Sequence, residues 1–230
     1  MAHETEIKLR AADMKGLLRK LKDLGARPAN GGCVREWNVV FDTPQGGLAK
    51  HGQLLRIRTE TFQAQKKKTR SSAKRVVLTF KEPVARAEAT GDSVGKLKPA
   101  GRHKVREEFE IEVADAAILG RIFEGLGMRG WFKYEKYRTT YKLPGSKKWA
   151  KDLLIEVDET PIGNFIELEG SPAAIDQAAQ KLGYSPRDYV LKSYLALYLE
   201  QCRRRGEAPC DMVFQERAKP ASASHAEKSQ

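Results

Sequence analysis

Three charged side chains near the start of the chain, Glu4, Glu6 and Lys8, alternate with Thr5 and Ile7. Because successive side chains of a β-strand point to opposite faces, this spacing puts two carboxylates and one amine on the same face. Carboxylate oxygens are ligands for hard divalent cations, and a lysine amine binds phosphate as a compact positive charge. The stretch therefore predicts a strand whose polar face holds a metal ion together with a phosphate group.

The same alternation of charged and apolar side chains recurs along the chain. Its charged members are Arg56, Arg58, Lys81, Arg106, Glu108, Glu110, Lys136, Arg138, Asp158, Glu167 and Glu169. An ordinary exposed strand also alternates, so a solvated surface is the competing interpretation. The repeated use of arginine favours a binding site, because a planar guanidinium makes paired hydrogen bonds to phosphate. With the first three residues, the set comprises seven bases and seven acids.

The alternating segments are predicted to be strands, with helices and turns between them. Strands are predicted at about 2–9, 33–42, 54–60, 76–83, 103–113, 131–142, 151–159 and 163–170, and helices at 14–25, 115–127, 172–183 and 188–205. Asp13 and Asp115 are N-cap residues of the first two helices, which end at Gly25 and Gly127.

About eight strands, mostly in neighbouring pairs, predict an α+β fold in which an eight-stranded antiparallel sheet closes into a barrel with flanking helices. Closure removes the exposed sheet edges and brings the charged faces together in one lumen. The alternate apolar residues Ile7, Ile57, Ile111 and Leu168 then face helices outside the barrel. Charges inside such a barrel must be matched by each other or by a ligand.

Length and composition predict one domain at residues 1–205, followed by an extension at 206–230 that is disordered from about 217. The net charge of +12 indicates attraction to polyanions. Much of it lies in the run from Gln65 to Arg75, which we interpret as a solvated loop more than a nucleic-acid site, because no aromatic residues interleave with it.

The remaining reactive residues predict no further site. The cysteines lack the spacing of a zinc site or a disulfide framework, and the four histidines (His3, His51, His103 and His225) are predicted to be dispersed surface residues. The chain has neither a signal peptide nor eighteen consecutive apolar residues, which predicts a cytoplasmic protein without membrane contact.

The ordered set of motifs resembles the CYTH, or triphosphate tunnel metalloenzyme, superfamily, which includes class IV adenylyl cyclases and thiamine triphosphatases. The resemblance covers about residues 2–200 and rests on E-x-E-x-K at Glu4 to Lys8, followed by LRIR, LTFK, REEFE, EKYR, DETPIGNFIELEG and LKSYLALYL. It implies an eight-stranded tunnel, a triphosphate bound by arginine and lysine, and Mg²⁺ or Mn²⁺ held by glutamates.

On this resemblance, each charged residue has an expected role. The triphosphate is bound by Lys8, Arg56, Arg58, Lys81, Arg106, Lys136 and Arg138, and the metal by Glu4, Glu6, Glu108, Glu110, Asp158, Glu167 and Glu169. Lys8 is expected to be either a general base with a lowered pKa or a phosphate ligand only. Thiamine triphosphatases carry a tyrosine just before the F-D-T turn, where this chain has Val40 and Phe41, and this counts against thiamine triphosphate.

Three functions are consistent with these residues. The first is metal-dependent hydrolysis of the terminal phosphate of inorganic triphosphate, or of a nucleoside or thiamine triphosphate. The second is a class IV adenylate cyclase that converts ATP to cyclic AMP and pyrophosphate. The third, a non-catalytic polyphosphate- or RNA-binding module using residues 65–75, is disfavoured because carboxylates repel a polyanion unless a metal intervenes. The predicted partner is a small-molecule triphosphate, nucleic acid being an unlikely one, for a monomer or homodimer.

Overall fold

The computed structural model describes residues 2–62, 73–84 and 101–215, in which eight strands and five α-helices follow one another. The strands are β1 (Ala2–Arg10), β2 (Arg27–Asp42), β3 (Leu54–Phe62), β4 (Lys74–Pro83), β5 (Lys104–Val113), β6 (Arg129–Lys142), β7 (Leu154–Thr160) and β8 (Gly163–Glu169). The helices are α1 (Met14–Asp23), α2 (Gly47–Lys50), α3 (Ala116–Gly125), α4 (Pro172–Lys181) and α5 (Tyr194–Arg205). Two short 3₁₀ helices lie at Lys148–Ala150 and Pro186–Asp188.

The strands form a closed barrel in the order β1-β5-β4-β3-β2-β6-β7-β8, and every neighbouring pair is antiparallel. The predicted fold class is therefore confirmed. Pairing aligns the charged positions of adjacent strands: Glu4 lies opposite Arg106, and Lys8 lies opposite Glu167. Since paired residues share a face, the alternation of each strand adds up to a charged interior.

Helices cover two sides of the barrel's outer surface. α1 and α4 pack on β1, β7 and β8, where Ile7 and Leu168 are buried as predicted. α3 packs Phe123 against β2 and β3, and this cluster buries Ile57. The prediction for Ile111 is wrong, because its side chain faces outward on β5 but is 61% exposed. No described helix covers that part of the barrel.

An apolar plug closes one end of the barrel. Tyr194 and Leu197 of α5 pack against Val40, Phe132 and Phe165, whose side chains occupy inward positions on three strands. The first turns of α5 therefore serve packing within the fold.

The last described residues return to the barrel beyond α5. Met212 is 1% exposed within the plug, and its backbone pairs with Tyr134. The Asp211 carboxylate accepts a hydrogen bond from the Lys133 amide at 2.8 Å. The boundary at residue 205 remains a prediction, and the predicted disorder from about 217 lies outside the described residues.

The final helix begins later than predicted. Ser193 caps it by accepting a hydrogen bond from the Ala196 amide, so α5 starts at Tyr194 and not at residue 188. The preceding residues are extended because Val190 exchanges two backbone hydrogen bonds with Lys8 of β1. The other predicted caps are confirmed, since Asp13 and Asp115 accept backbone hydrogen bonds at the starts of α1 and α3.

Several other boundaries differ from the sequence-based expectation. β2 begins at Arg27, and a register shift between Pro28 and Cys33 marks an irregularity before its regular part. The basic run was predicted to be a loop as far as Arg75, but β4 starts at Lys74, while residues 65–72 lie outside the described ranges.

His103 is wrongly predicted to be a surface residue. It is 9% exposed, and its Nε2 lies 2.9 Å from the Asp176 carboxylate. Within the described parts of the chain, no helix is long and apolar enough to span a membrane.

Candidate active site

The barrel encloses a cavity of about 300 Å³ above the α5 plug. Eight basic and seven acidic side chains line it. The bases are Lys8, Arg56, Arg58, Lys81, Lys104, Arg106, Lys136 and Arg138, and the acids are Glu4, Glu6, Glu108, Glu110, Glu156, Glu167 and Glu169. The structure thus brings together every sequence-predicted site residue except Asp158. It adds Lys104 and Glu156, which the sequence analysis missed.

Ion pairs between strands of the barrel, both adjacent and once removed, hold most of the cationic groups. Lys81 Nζ lies 2.6 Å from the Glu4 carboxylate and 3.0 Å from that of Glu108. Arg58 donates to Glu110 at 3.1 Å. These contacts keep the long side chains extended across the lumen, where they can exchange a carboxylate partner for a phosphate oxygen.

Arg106 differs from the other cations in the cavity. Its guanidinium donates to the Gly52 carbonyl oxygen, and it forms no ion pair with a described carboxylate. Burial lowers the pKa of Arg106, although the more distant Glu6 and Glu4 charges oppose this effect. A partly buried guanidinium without a counter-charge is a strong candidate for binding an anion.

Lys8 lies deep in the cavity, with 4% of its surface exposed. Its Nζ is 2.9 Å from the Glu167 carboxylate and 3.3 Å from that of Glu6. Burial acts to lower its pKa, but these two carboxylates outweigh burial and raise the pKa of Lys8 above its usual range. The predicted lowering is therefore wrong in this structure. The geometry favours the alternative, in which Lys8 is a phosphate-binding cation.

One stretch of the wall is rich in carboxylates. Burial, together with Glu156 and Glu4, raises the pKa of Glu169 to about 8. Burial also raises the pKa of Glu156 to about 7, although the nearby Arg138 opposes it. No ion pair or hydrogen bond reaches the Glu169 carboxyl group from any described residue, and the charge of Lys81 only partly opposes the rise in its pKa.

This acidic wall fits a divalent cation. Crowded carboxylates with raised pKa values are stabilised when a cation binds among them, and Mg²⁺ needs only one or two carboxylates besides water and phosphate oxygens. In the described ranges, no three Asp, Glu, His or Cys side chains converge closely enough to hold a metal ion alone. Two of the carboxylates, Glu4 and Glu108, are paired with the Lys81 ammonium.

Asp158 lies beneath the cavity and not in its wall. It is fully buried, and its carboxylate accepts hydrogen bonds from Lys136 at 3.0 Å, Arg138 at 2.7 Å and the Tyr194 hydroxyl at 2.7 Å. All of its nearby partners are donors from the protein itself. The geometry therefore favours a role in holding two cavity bases over the predicted role as a metal ligand.

A second layer of polar side chains behind the wall is absent from the sequence-based set. Glu36 is 2% exposed and lies 3.5 Å from Lys136 and 3.7 Å from Arg138. Burial opposes ionisation, but these bases outweigh it and lower the pKa of Glu36 to about 2. Lys104, in the wall itself, pairs with Glu6. Glu36 and Lys104 lie at inward positions of β2 and β5, so the alternation of the sequence could have predicted that they face the lumen.

Comparisons with known proteins agree with this architecture. The CYTH domain family model matches residues 2–194. A candidate adenylate cyclase from Vibrio parahaemolyticus is 18% identical, with a TM-score of 0.60 over 84% of this chain and 96% of that chain. A protein from Pyrococcus horikoshii OT3 is 23% identical, with a TM-score of 0.62 over 86% of this chain and 99% of that chain.

At these low identities, the solved structures show a shared fold and nothing further. A conserved protein from Pyrococcus furiosus also shares the fold, with 22% identity and a TM-score of 0.57 over 84% of this chain and 99% of that chain. No curated protein matches the chain with significant similarity. The family model, by contrast, spans all eight strands of the barrel, from β1 to the first residue of α5. The chain therefore belongs to the CYTH domain family.

Proposed function

We propose that this protein is a metal-dependent enzyme that binds a triphosphate in the tunnel and hydrolyses its terminal phosphate. One observation carries the proposal: the same cavity holds a guanidinium, Arg106, and a carboxyl group, Glu169, neither of which forms an ion pair with a described residue. They lie on β5 and β8, the two strands that flank β1 with Glu4 and Glu6. A triphosphate with its bound metal ion supplies the charge that each group lacks.

The basic residues have a defined task in this proposal. Phosphoryl transfer requires in-line positioning and positive charge on the phosphate oxygens, and little covalent chemistry from the protein. Arg56, Arg58 and Arg106 bind and orient the phosphate chain, and Lys8 holds a positive charge at the base of the cavity. The α5 plug blocks one end, so the chain of phosphates enters from the other.

The acidic residues supply the metal site. Glu4, Glu108 and Glu169 are the carboxylates that we place around the ion, with Glu156 close by. Mg²⁺ or Mn²⁺ held by these residues would neutralise charge on the phosphates and polarise the bond that is cleaved. Both ions bind carboxylate, phosphate and water oxygens, so either fits the ligands of this site.

The alternative function is a class IV adenylate cyclase, in which the same cations hold ATP and the ribose 3′ hydroxyl attacks the α-phosphate. No described feature of the cavity favours one scissile bond over the other. A non-catalytic module that binds polyphosphate or RNA through residues 65–75 is the third candidate, and its binding would not depend on Glu169. The proposed hydrolase has a small-molecule triphosphate as its partner and a cytoplasmic location.

Metal binding tests the proposal without relying on turnover. Glu169→Gln keeps the side-chain shape but removes the charge, so we expect the affinity for Mn²⁺, measured by calorimetry with inorganic triphosphate present, to fall at least about tenfold. Glu159→Gln is the matched control, because Glu159 is exposed on the outer face of β7. Equal Mn²⁺ affinity in the wild type and in both variants would remove Glu169 from the metal site.

A further inference from the structure

Several buried polar atoms on β2 and β3, beneath the side chains that line the tunnel, have no hydrogen-bond partner in the described parts of the chain. Both side-chain polar atoms of Asn38, together with Arg56 Nε, have no hydrogen-bond partner among the described residues. Glu36 Oε2 and Arg58 Nε are also without an aligned partner, although each lies near an opposite charge. A buried polar atom left without a hydrogen bond costs about 1–3 kcal/mol, so such a cluster requires an explanation.

The sheet register places these atoms side by side. Asn38 lies on β2, directly opposite Arg58 of β3 on one side and Tyr134 of β6 on the other. Its side chain is fully buried and does not line the cavity, whereas Arg56 and Arg58 do. Asn38 therefore lies on the inner face of β2, in a layer beneath the phosphate-binding side chains.

The Arg56 guanidinium makes two side-chain hydrogen bonds next to this layer. It starts on β3, opposite Val40, and its Nη1 donates to the Tyr134 hydroxyl on β6 at 3.0 Å. β2 lies between those two strands, so the contact between Arg56 and Tyr134 spans the inner face of β2 at Val40 and Asn38. Its Nη2 donates to Thr79 at 3.2 Å. Nε, the nitrogen closest to the stem, has no acceptor among the residues that the structure describes.

We propose that Asn38 is a positioning residue that holds Arg56 in the tunnel through one buried water molecule. This water accepts a hydrogen bond from Arg56 Nε and donates one to Asn38 Oδ1, and Glu36 Oε2 and Arg58 Nε are further partners within the layer. Two to four polar partners are the setting in which buried water is retained. The inference deepens the proposed function, because Arg56 is one of the cations assigned to the phosphate chain.

Two substitutions at this position separate a water-mediated role from simple packing. Asn38→Ala leaves space for a second water molecule, which preserves the link to Arg56, whereas Asn38→Leu fills the space with carbon. We expect the Kd for inorganic triphosphate to rise about tenfold in Asn38→Leu and less than about threefold in Asn38→Ala. If turnover is measurable, KM changes and kcat stays within about twofold. The melting temperature should follow the same order and be lowest for Asn38→Leu.

Packing alone predicts the reverse order. A cavity would make Asn38→Ala the less stable variant, and removal of unsatisfied polar atoms would leave Asn38→Leu as stable as the wild type or more so. That result would overturn the inference. Asn164→Ala and Asn164→Leu are matched controls, since Asn164 is half-buried on the outer face of β8, and they should leave triphosphate binding unchanged.

A high-resolution crystal structure of the wild type gives an answer independent of activity. Ordered water within hydrogen-bond distance of both Asn38 and Arg56 supports the inference, and a dry contact contradicts it. If the protein binds no triphosphate, the proposed function fails while the water and the order of melting temperatures still decide the role of Asn38.

Discussion

Asp158→Asn is the substitution that best separates the two roles considered for a buried carboxylate of this barrel. The change keeps the shape of the side chain and removes one negative charge beneath the cavity. Asp158 accepts hydrogen bonds from Lys136, Arg138 and Tyr194. In the variant, the amide nitrogen cannot accept from these donors, so buried donors are left without a partner.

The expected loss follows from what each partner retains. Removing one member of a buried ion pair costs about 3–5 kcal/mol, because the other charge stays buried without compensation. Arg138 keeps its contacts with Glu156 and Glu167, and Lys136 keeps Glu36 at 3.5 Å. We therefore expect the lower end of the range, about 3 kcal/mol of unfolding free energy.

Urea unfolding followed by circular dichroism in the presence of EDTA measures this loss. With a slope of about 2 kcal/mol per molar urea, the midpoint should fall by about 1.5 M. Asp152→Asn is the control, since Asp152 is exposed and its substitution should change stability by less than about 0.5 kcal/mol. An Asp158→Asn midpoint equal to that of the wild type in EDTA, combined with lost stabilisation by Mn²⁺, would instead identify Asp158 as a metal ligand.

Two further substitutions test the charge arrangement of the tunnel. Arg106→Ala should raise KM for a triphosphate about tenfold with no loss of melting temperature, because its guanidinium has no described carboxylate partner. Arg121→Ala, on the exposed side of α3, is the control variant. A KM that is unchanged in both variants would contradict the assignment of Arg106 to phosphate binding. The pKa of Glu36 is lowered to about 2, so its ionised form stabilises the fold above pH 4.5, and that stabilisation is lost as the pH falls toward 2. Unfolding free energies of the wild type and Glu36→Gln should therefore converge by roughly 3 kcal/mol across that interval, and parallel pH curves would refute this.

The alternation in the sequence was sufficient to predict the barrel and most of its lining. A period of two fixes which residues share a face, so Glu4, Glu6 and Lys8 could be assigned to one side of β1 before any pairing was known. The same rule also covers Lys104 and Glu156, which continue the inward series of β5 and β7. These two were missed although their signal was present.

Depth along the barrel could not be predicted in the same way. Asp158 and Glu156 lie on the same face of β7, yet only Glu156 lines the cavity. The difference arises from α5, whose Tyr194 packs beneath the cavity and donates to Asp158. The depth of a residue depends on such a long-range contact, which local periodicity does not encode. The pKa of Lys8 was predicted wrongly for a related reason, because it depends on the ion pair that Lys8 of β1 forms with Glu167 of the adjacent strand β8.

Product analysis is the most direct test of the proposed reaction. The purified protein would be incubated separately with inorganic triphosphate, thiamine triphosphate and ATP, each with Mg²⁺, with Mn²⁺ or with EDTA. We expect orthophosphate release from at least one triphosphate only when a divalent metal is present, and loss of that activity in Glu169→Gln but not in Glu159→Gln. Cyclic AMP with pyrophosphate would replace the hydrolase with the cyclase, and release of orthophosphate that is equally fast in EDTA would contradict the metal-dependent account.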